Sequence, residues 1–129
     1  YLARYRVADL FLDTQPYNAG TTASDALRMG LPMLTRIGKA YQARMGASIV
    51  NALNLPELIT NTPEEYESLA IELATNPGKL KAIKDKLANN LSTAPLYDTK
   101  LFAKNLESAY TQMYERHHKG LKPDHIYVE

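Results

Sequence analysis

Three features of the sequence predict an α/β fold, a parallel sheet with crossover helices that finishes in helices alone. Short apolar runs alternate with helix-patterned segments three times within the first 75 residues, the order produced when each strand returns to the sheet through a helix. Proline and glycine stand at the joints between these segments. Beyond Pro77 the apolar residues recur at helical spacing only.

Tyr1–Ala8 reads as the end of a helix. It leads into Leu10–Asp13, a short apolar run suited to a buried strand. Pro16 and Asn18-Ala19-Gly20 break regular structure. Thr22–Met29 then reads as a short helix, with Ala23, Ala26 and Leu27 at helical spacing and Gly30 at its end. Met33–Thr35 is the second strand, and a longer helix follows the loop at Gly38, from Tyr41 to about Asn54. Leu58–Thr60 is a third, very short strand. In the next helix Thr62 stands as cap, Pro63 where proline is tolerated and Glu65 as the far end of a Thr-x-x-Glu capping box; Tyr66, Leu69, Ala70 and Leu73 mark its apolar face. Asn76-Pro77-Gly78 stops it. Leu80, Ile83, Leu87 and Leu91 line another helix whose wet side carries Lys79, Lys81, Lys84 and Lys86. Pro95 ends that stretch. Asp98 caps a last long helix with Phe102, Leu106, Ala109 and Met113 in one stripe, ending near Gly120.

Composition bounds what such a chain does. With 129 residues it is one domain's worth. Its 45% apolar and 22% charged residues are those of a globular protein. A net charge of +1, with both signs interspersed, argues against broad binding to nucleic-acid backbones. No apolar run approaches bilayer length. The lack of cysteine removes disulfides and thiolate metal sites. The chain starts at Tyr1 in a helix-like pattern, and is expected to be a piece of a longer polypeptide.

In an open parallel sheet, ligands bind where strands end and helices begin. The loop Thr14–Gly20 is such a place. Gly20 permits close backbone approach, and Thr21 and Thr22 set two hydroxyls beside unpaired helix amides, an anion-binding arrangement. Asp25, one turn on, would repel a phosphate but can accept hydrogen bonds from a ribose. Together these make a nucleotide half-site. Thr22-x-x-Asp25 is equally a capping box in which each side chain satisfies the other's backbone, and on these residues alone both readings stand. Arg44 is read as a solvated surface group. His117 and His118, adjacent and therefore on different helix faces, do not form a metal site.

The runs Ala8-Asp9-Leu10-Phe11-Leu12-Asp13-Thr14, Pro16-Tyr17-Asn18-Ala19-Gly20-Thr21-Thr22-Ala23-Ser24-Asp25-Ala26-Leu27 and Gly30-Leu31-Pro32-Met33-Leu34-Thr35 resemble the C-terminal catalytic region of the O-GlcNAc transferase family, to which the plant SPINDLY proteins also belong. The resemblance continues through Gly38, Ala43-Arg44, Ala47-Ser48, Leu55–Ile59, Glu65-Tyr66, Pro95–Tyr97 and Gly120–Glu129. It implies the later half of a Rossmann-like lobe, the C-terminal lobe of a GT-B architecture, over residues 1–92. Residues 93–129 would be a helix and tail packing toward the other lobe. Tetratricopeptide repeats would precede both. The implied activity is inverting transfer of a sugar, without metal or other cofactor, from a nucleotide donor to serine or threonine of proteins. UDP-GlcNAc is the expected donor and GDP-fucose the alternative; a degenerate interaction module without a donor site is the non-enzymatic alternative. In this family the threonine pair contacts the diphosphate and the aspartate the ribose, which maps onto Thr21, Thr22 and Asp25 and favours the nucleotide half-site over the capping box. Gly20 stands where many relatives carry histidine, and Arg28 where a tryptophan is common. The phosphate-contacting lysine, the base-contacting loop and the candidate general bases of the family lie upstream, so no catalytic residue is assigned within the chain. Expected partners are the donor and protein acceptors, not nucleic acid or membrane. The setting expected is the cytoplasm, or cytoplasm and nucleus in a eukaryote. The isolated fragment is expected to self-associate through the open edge of Leu10–Asp13 or through the stripe on the last helix.

Overall fold

The computed structural model describes residues 1–128; Glu129, the last residue of the family resemblance, lies outside the described residues. The chain divides into two compact units, residues 1–96 and the stretch from Tyr97 onward. The first contains strands β1 (Phe11–Leu12), β2 (Met33–Arg36) and β3 (Ile59–Thr60), and helices α1 (Thr21–Arg28), α2 (Met45–Ala52), α3 (Pro63–Thr75) and α4 (Pro77–Asn90). The second contains α5 (Thr99–His118) and the tail behind it. The strands form one parallel sheet in the order β1-β2-β3, with Phe11 opposite Met33 and Thr35 opposite Ile59. This is the α/β architecture read from the alternation of strands and helices.

The core sits around β2. Met33, Leu34 and Thr35 are fully buried, as the middle strand of a parallel sheet requires. Leu27 of α1, Val50 of α2, Leu73 of α3 and Leu87 of α4 are buried as well, with Leu53, Leu55 and Leu58 from the connection into β3. Each such side chain contributes roughly 1.5–3 kcal/mol by leaving water. β1 is an edge strand, and Leu12 is 53% exposed.

Several elements differ from expectation, each for a visible reason. Tyr1–Ala8 holds a 3-10 segment, Leu2–Val7, closed by i+3 bonds such as Arg4 N–H to Tyr1 C=O at 3.1 Å. β1 loses Leu10 and Asp13 from the expected strand; the Asp13 carboxylate takes the amides of Thr14 and Ala19, which turns the chain out of the sheet. Leu58 belongs to a 3-10 turn, Pro56–Leu58, and only Ile59 and Thr60 pair with β2. The helix expected over Tyr41–Asn54 is split into a 3-10 turn, Tyr41–Ala43, and α2. The Ala43 carbonyl, which a continuous helix would use internally, accepts instead from Gly38 N–H at 2.7 Å.

The helix ends follow their terminal residues. α1 closes with Gly30 at φ +83°, with Leu31 N–H bonded to Ala26 C=O and Gly30 N–H to Leu27 C=O, a Schellman motif. α2 repeats it with Asn54 at φ +54°, and α5 with Gly120 at φ +65°. α3 has the full Thr62/Glu65 capping box. Asp98 caps α5 through Leu101 N–H at 2.9 Å. The four lysines of α4 are each paired, Lys79 with Glu72, Lys81 with Asp85, Lys84 with Asp9 and Lys86 with Glu57. That neutralises the row and leaves no basic patch there. α5 buries no residue: Phe102 is 67% and Met113 50% exposed. None of the described helices is long and apolar enough to cross a membrane.

Candidate functional site

Because the sheet is parallel, the three strands deliver their carboxyl ends to the same side. A buried polar ladder joins them there. Thr60 Oγ1 donates to the Thr35 carbonyl at 3.0 Å, and Thr35 Oγ1 donates to Asp13 Oδ2 at 2.6 Å. Asp13 Oδ1 in turn accepts the amides of Thr14 (2.9 Å) and Ala19 (2.7 Å). Asn18 completes the loop: its Nδ2 donates to the Thr14 carbonyl at 2.9 Å, its Oδ1 accepts from Gly46 N–H at 3.3 Å, and its own N–H reaches the Gln42 carbonyl at 3.1 Å. Tyr66 of α3 donates its hydroxyl to the Asp13 carbonyl at 2.9 Å. Burial pushes that hydroxyl above the usual tyrosine range; the Asp13 charge adds to the rise and Arg36 opposes it. Gln15 Nε2 donates to the Arg36 carbonyl from the other side of the loop. The loop between β1 and α1 is therefore tied at Thr14, Asn18 and Ala19, on either side of an exposed Tyr17.

The tied loop leads into α1. Its N-cap is Gly20, whose carbonyl accepts from Ser24 N–H at 3.0 Å, and no side chain caps the helix. The helix begins at Thr21, one residue earlier than expected, so Thr22 lies inside the first turn, where it cannot cap. The Thr22-x-x-Asp25 capping box does not form. Thr21 and Thr22 are exposed, and among the described residues neither hydroxyl has a hydrogen-bond partner. The first helix amides are likewise without a side-chain acceptor, which concentrates donors and the positive end of the helix dipole at one place.

A cleft of about 280 Å³ opens there, lined by Tyr17, Asn18, Gly20, Thr21, Tyr41 and Met45 among others. It brings Gly20 and Thr21 together. Asp25 does not line it: one turn on and half-buried, its charge is felt by Tyr5 of the N-terminal 3-10 segment. The Tyr5 hydroxyl is pushed up to about 12, chiefly by its hydrogen bond with Tyr1 (2.9 Å), with burial and then the charges of Tyr1 and Asp25 adding to it. The lining of the cleft thus includes Gly20 and Thr21 but neither Thr22 nor Asp25. A side chain added at Gly20 would meet only Met45 Cγ, at 4.0 Å. The site therefore has room at the position where the resemblance expects histidine.

Arg44 is exposed, and its Nη1 donates to the Gly38 carbonyl at 3.2 Å, stapling the turn before α2. His117 stacks edge-on against His118, and His118 packs on Tyr114. Among the described residues there is no group of His, Cys, Asp and Glu fit to hold a metal. Sequence reasoning missed the tying residues Asp13, Asn18, Thr35 and Gly46. A signal for one of them was present: glycine inside a helical pattern marks a close approach. A side chain at Gly46 would collide with Asp13 Oδ2 and Thr35 Oγ1.

Comparison with known proteins adds a second line of evidence. The family described as Glycosyl transferase family 41 matches residues 1–106. The chain is 38% identical over 129 residues to the Arabidopsis thaliana protein named probable UDP-N-acetylglucosamine–peptide N-acetylglucosaminyltransferase SEC, covering 99% of this chain and 13% of that protein. It is 33% identical over 123 residues to the Hordeum vulgare protein of the same enzyme name, SPINDLY, covering 95% of this chain and 13% of that one. Among solved structures, a mutant of the Thermobaculum terrenum O-GlcNAc transferase matches with a TM-score of 0.81 at 35% identity, over 88% of this chain and 22% of that one. The chain thus spans about an eighth of the length of these curated relatives and has the fold of the corresponding part of the solved enzyme.

Proposed function

The chain belongs to Glycosyl transferase family 41, and on that premise we propose that it is the C-terminal part of the sugar-nucleotide-binding lobe of a protein O-glycosyltransferase. The observation that carries this is the N-terminus of α1. It has no side-chain cap, its two threonine hydroxyls have no partner among the described residues, and it stands at the carboxyl end of β1 beside an open cleft. In this reading Gly20, Thr21, Thr22 and the first amides of α1 hold the donor's diphosphate, and Asp25 holds the ribose.

The chemistry follows from the charge balance. When the sugar leaves for a serine or threonine hydroxyl, its bond to the diphosphate breaks and negative charge grows on the departing phosphate oxygen. Hydroxyl and amide donors fixed beforehand stabilise that charge where it develops, without reorganising. Asp25 orients the donor and takes no proton. The acceptor hydroxyl is activated by groups outside this chain, and the transfer inverts the anomeric carbon without a metal or other cofactor. UDP-GlcNAc is the donor this reading favours, because both plant relatives carry that name. The setting is cytoplasmic, or nucleocytoplasmic in a eukaryote.

The test is to express the longer polypeptide and assay transfer to protein serine and threonine from UDP-GlcNAc and GDP-fucose in parallel. Transfer from UDP-GlcNAc is expected; transfer from GDP-fucose alone would move the chain to the fucosyl branch, and binding of neither would make it a non-catalytic module. The isolated residues 1–129 should show no transfer above a no-protein control. They should self-associate in analytical ultracentrifugation, because the β1 edge and the α5 stripe are open apolar surfaces.

A further inference from the structure

We propose that Asp13 is a positioning residue for the diphosphate subsite, a role that rests on the reading of the α1 N-terminus just given. Asp13 is 5% exposed, and no cation pairs with its carboxylate among the described residues. A buried carboxylate in that state is tolerated only when hydrogen bonds replace its water. Its donors are the Thr14 and Ala19 amides on the loop and the Thr35 hydroxyl on the central strand. Ala19 immediately precedes Gly20, the N-cap of α1. Fixing the Ala19 amide fixes the direction in which the chain enters the helix, and hence where the amides and hydroxyls of Thr21 and Thr22 point.

The rest of the core supports a directed role. The described buried polar side chains are Asp13, Asn18, Thr35 and Thr60; Asn18 ties this one loop from within, and the other three form the ladder beneath it. Everywhere else the core is apolar, so the hydrogen-bonding demand of the interior is concentrated where donor geometry matters to chemistry. Gly46 belongs to the same device. Its lack of a side chain lets α2 come against Asp13 and Thr35, and its amide holds Asn18. Asp13 touches no substrate; it acts through the loop.

The experiment uses the longer polypeptide with Asp13→Asn, Thr35→Val and Thr35→Ser. Calorimetry measures the affinity of each for UDP and for uridine, with GDP and guanosine run alongside, and thermal unfolding confirms the fold. Asp13→Asn and Thr35→Val are expected to weaken UDP about 10- to 100-fold, the scale of a small misplacement of reacting groups. Uridine binding should stay within about twofold, because the ribose contact at Asp25 is not on the tied loop. Thr35→Ser keeps the hydroxyl and should restore UDP binding. Should Asp13→Asn fail to fold, the Thr35 pair makes the same comparison. Folded variants that bind UDP like the wild type would overturn the positioning role, as would equal weakening of UDP and uridine. A wild type that binds no nucleoside diphosphate would instead overturn the underlying site.

Discussion

Two helices of this chain open on the same sequence pattern, threonine followed three residues later by an acid, and they use it in opposite ways. At α3, Thr62 Oγ1 accepts from Glu65 N–H at 3.1 Å, while the Glu65 carboxylate accepts from the amides of Asn61 at 2.7 Å and Thr62 at 3.4 Å. At α1 the helix starts before its second threonine, Gly20 caps without a side chain, and no capping bond involves Asp25. The difference lies in what precedes each pattern. Asn61-Thr62-Pro63 leaves Thr62 extended at the cap position, at φ −120° and ψ 159°. The tied loop before α1 delivers Gly20 to that position, and Thr22 falls inside the helix. A helix end that satisfies itself is structural; one whose donors are left open is free to serve a ligand.

Exchanging the roles of the two ends gives the sharpest test. In the longer enzyme, Thr21→Ala or Thr22→Ala should lower turnover roughly 10- to 1,000-fold, the range for removing one donor to developing charge. Thermal stability should barely move, because neither hydroxyl has a protein partner to lose. A collapse of stability with normal activity per folded molecule would erase the contrast.

Next in size is Asp25. Asp25→Ala should weaken UDP and the sugar nucleotide alike, by about tenfold for the loss of one charged hydrogen-bonding group. Inorganic diphosphate should bind as before or slightly better. Competition binding with the three ligands checks this, and equal losses for diphosphate and UDP would contradict the ribose role.

Thr62→Ala carries the opposite signature. It should cost about 1 kcal/mol of folding stability, the usual loss for a threonine cap, and leave the kinetic constants of the longer enzyme unchanged. Denaturant unfolding alongside a transfer assay reads both.

The smallest effect concerns pH. Backbone hydrogen bonds, that from Asn61 first, hold the Glu65 carboxyl below its ordinary value of 4.5, and they outweigh its partial desolvation. A carboxyl lowered in the folded state stabilises above its unfolded pKa, and that contribution fades as pH falls through the folded value. Glu65→Gln should therefore flatten the acid side of the stability–pH curve below about 4.5.

Legibility in the sequence follows how local each determinant is. α3 and α5 could be read from residues at their starts, Thr62-Pro63-x-Glu65 and Asp98, and α4 from its stripe of Leu80, Ile83 and Leu87, although Asn76-Pro77 read only as the stop of α3 and proved also to be the cap of α4. α2 could not. It is broken by the Gly38–Ala43 bond and anchored by Asn18, 28 positions before Gly46. The candidate site was half legible. Thr21, Thr22 and Asp25 stood out as types in a pattern, but whether Thr22 caps its own helix depends on one residue of register. Asp13 looked like an ordinary acid at a strand end. Only its pairing with Thr35, from a strand 22 positions on, reveals that it faces inward.

Asn76 joins two helices through a single residue. Its amide donates to Glu72 at 2.9 Å as the last bond of α3, while its side chain accepts from Lys79 N–H at 3.0 Å as the cap of α4. The Lys79–Glu72 ion pair spans the joint at 2.7 Å. Neither helix can fray at this junction without undoing the other's terminus. The end of one and the start of the next should therefore open as one cooperative unit, with amides near Thr75 and Leu80 exchanging hydrogen at a common free energy. Asn76→Ala would separate them into independently breathing halves. The surface that α3 and α4 lend to the sheet is in this sense one element bent once, and its rigidity is inherited by Tyr66, which reaches from α3 to the Asp13 carbonyl under the loop.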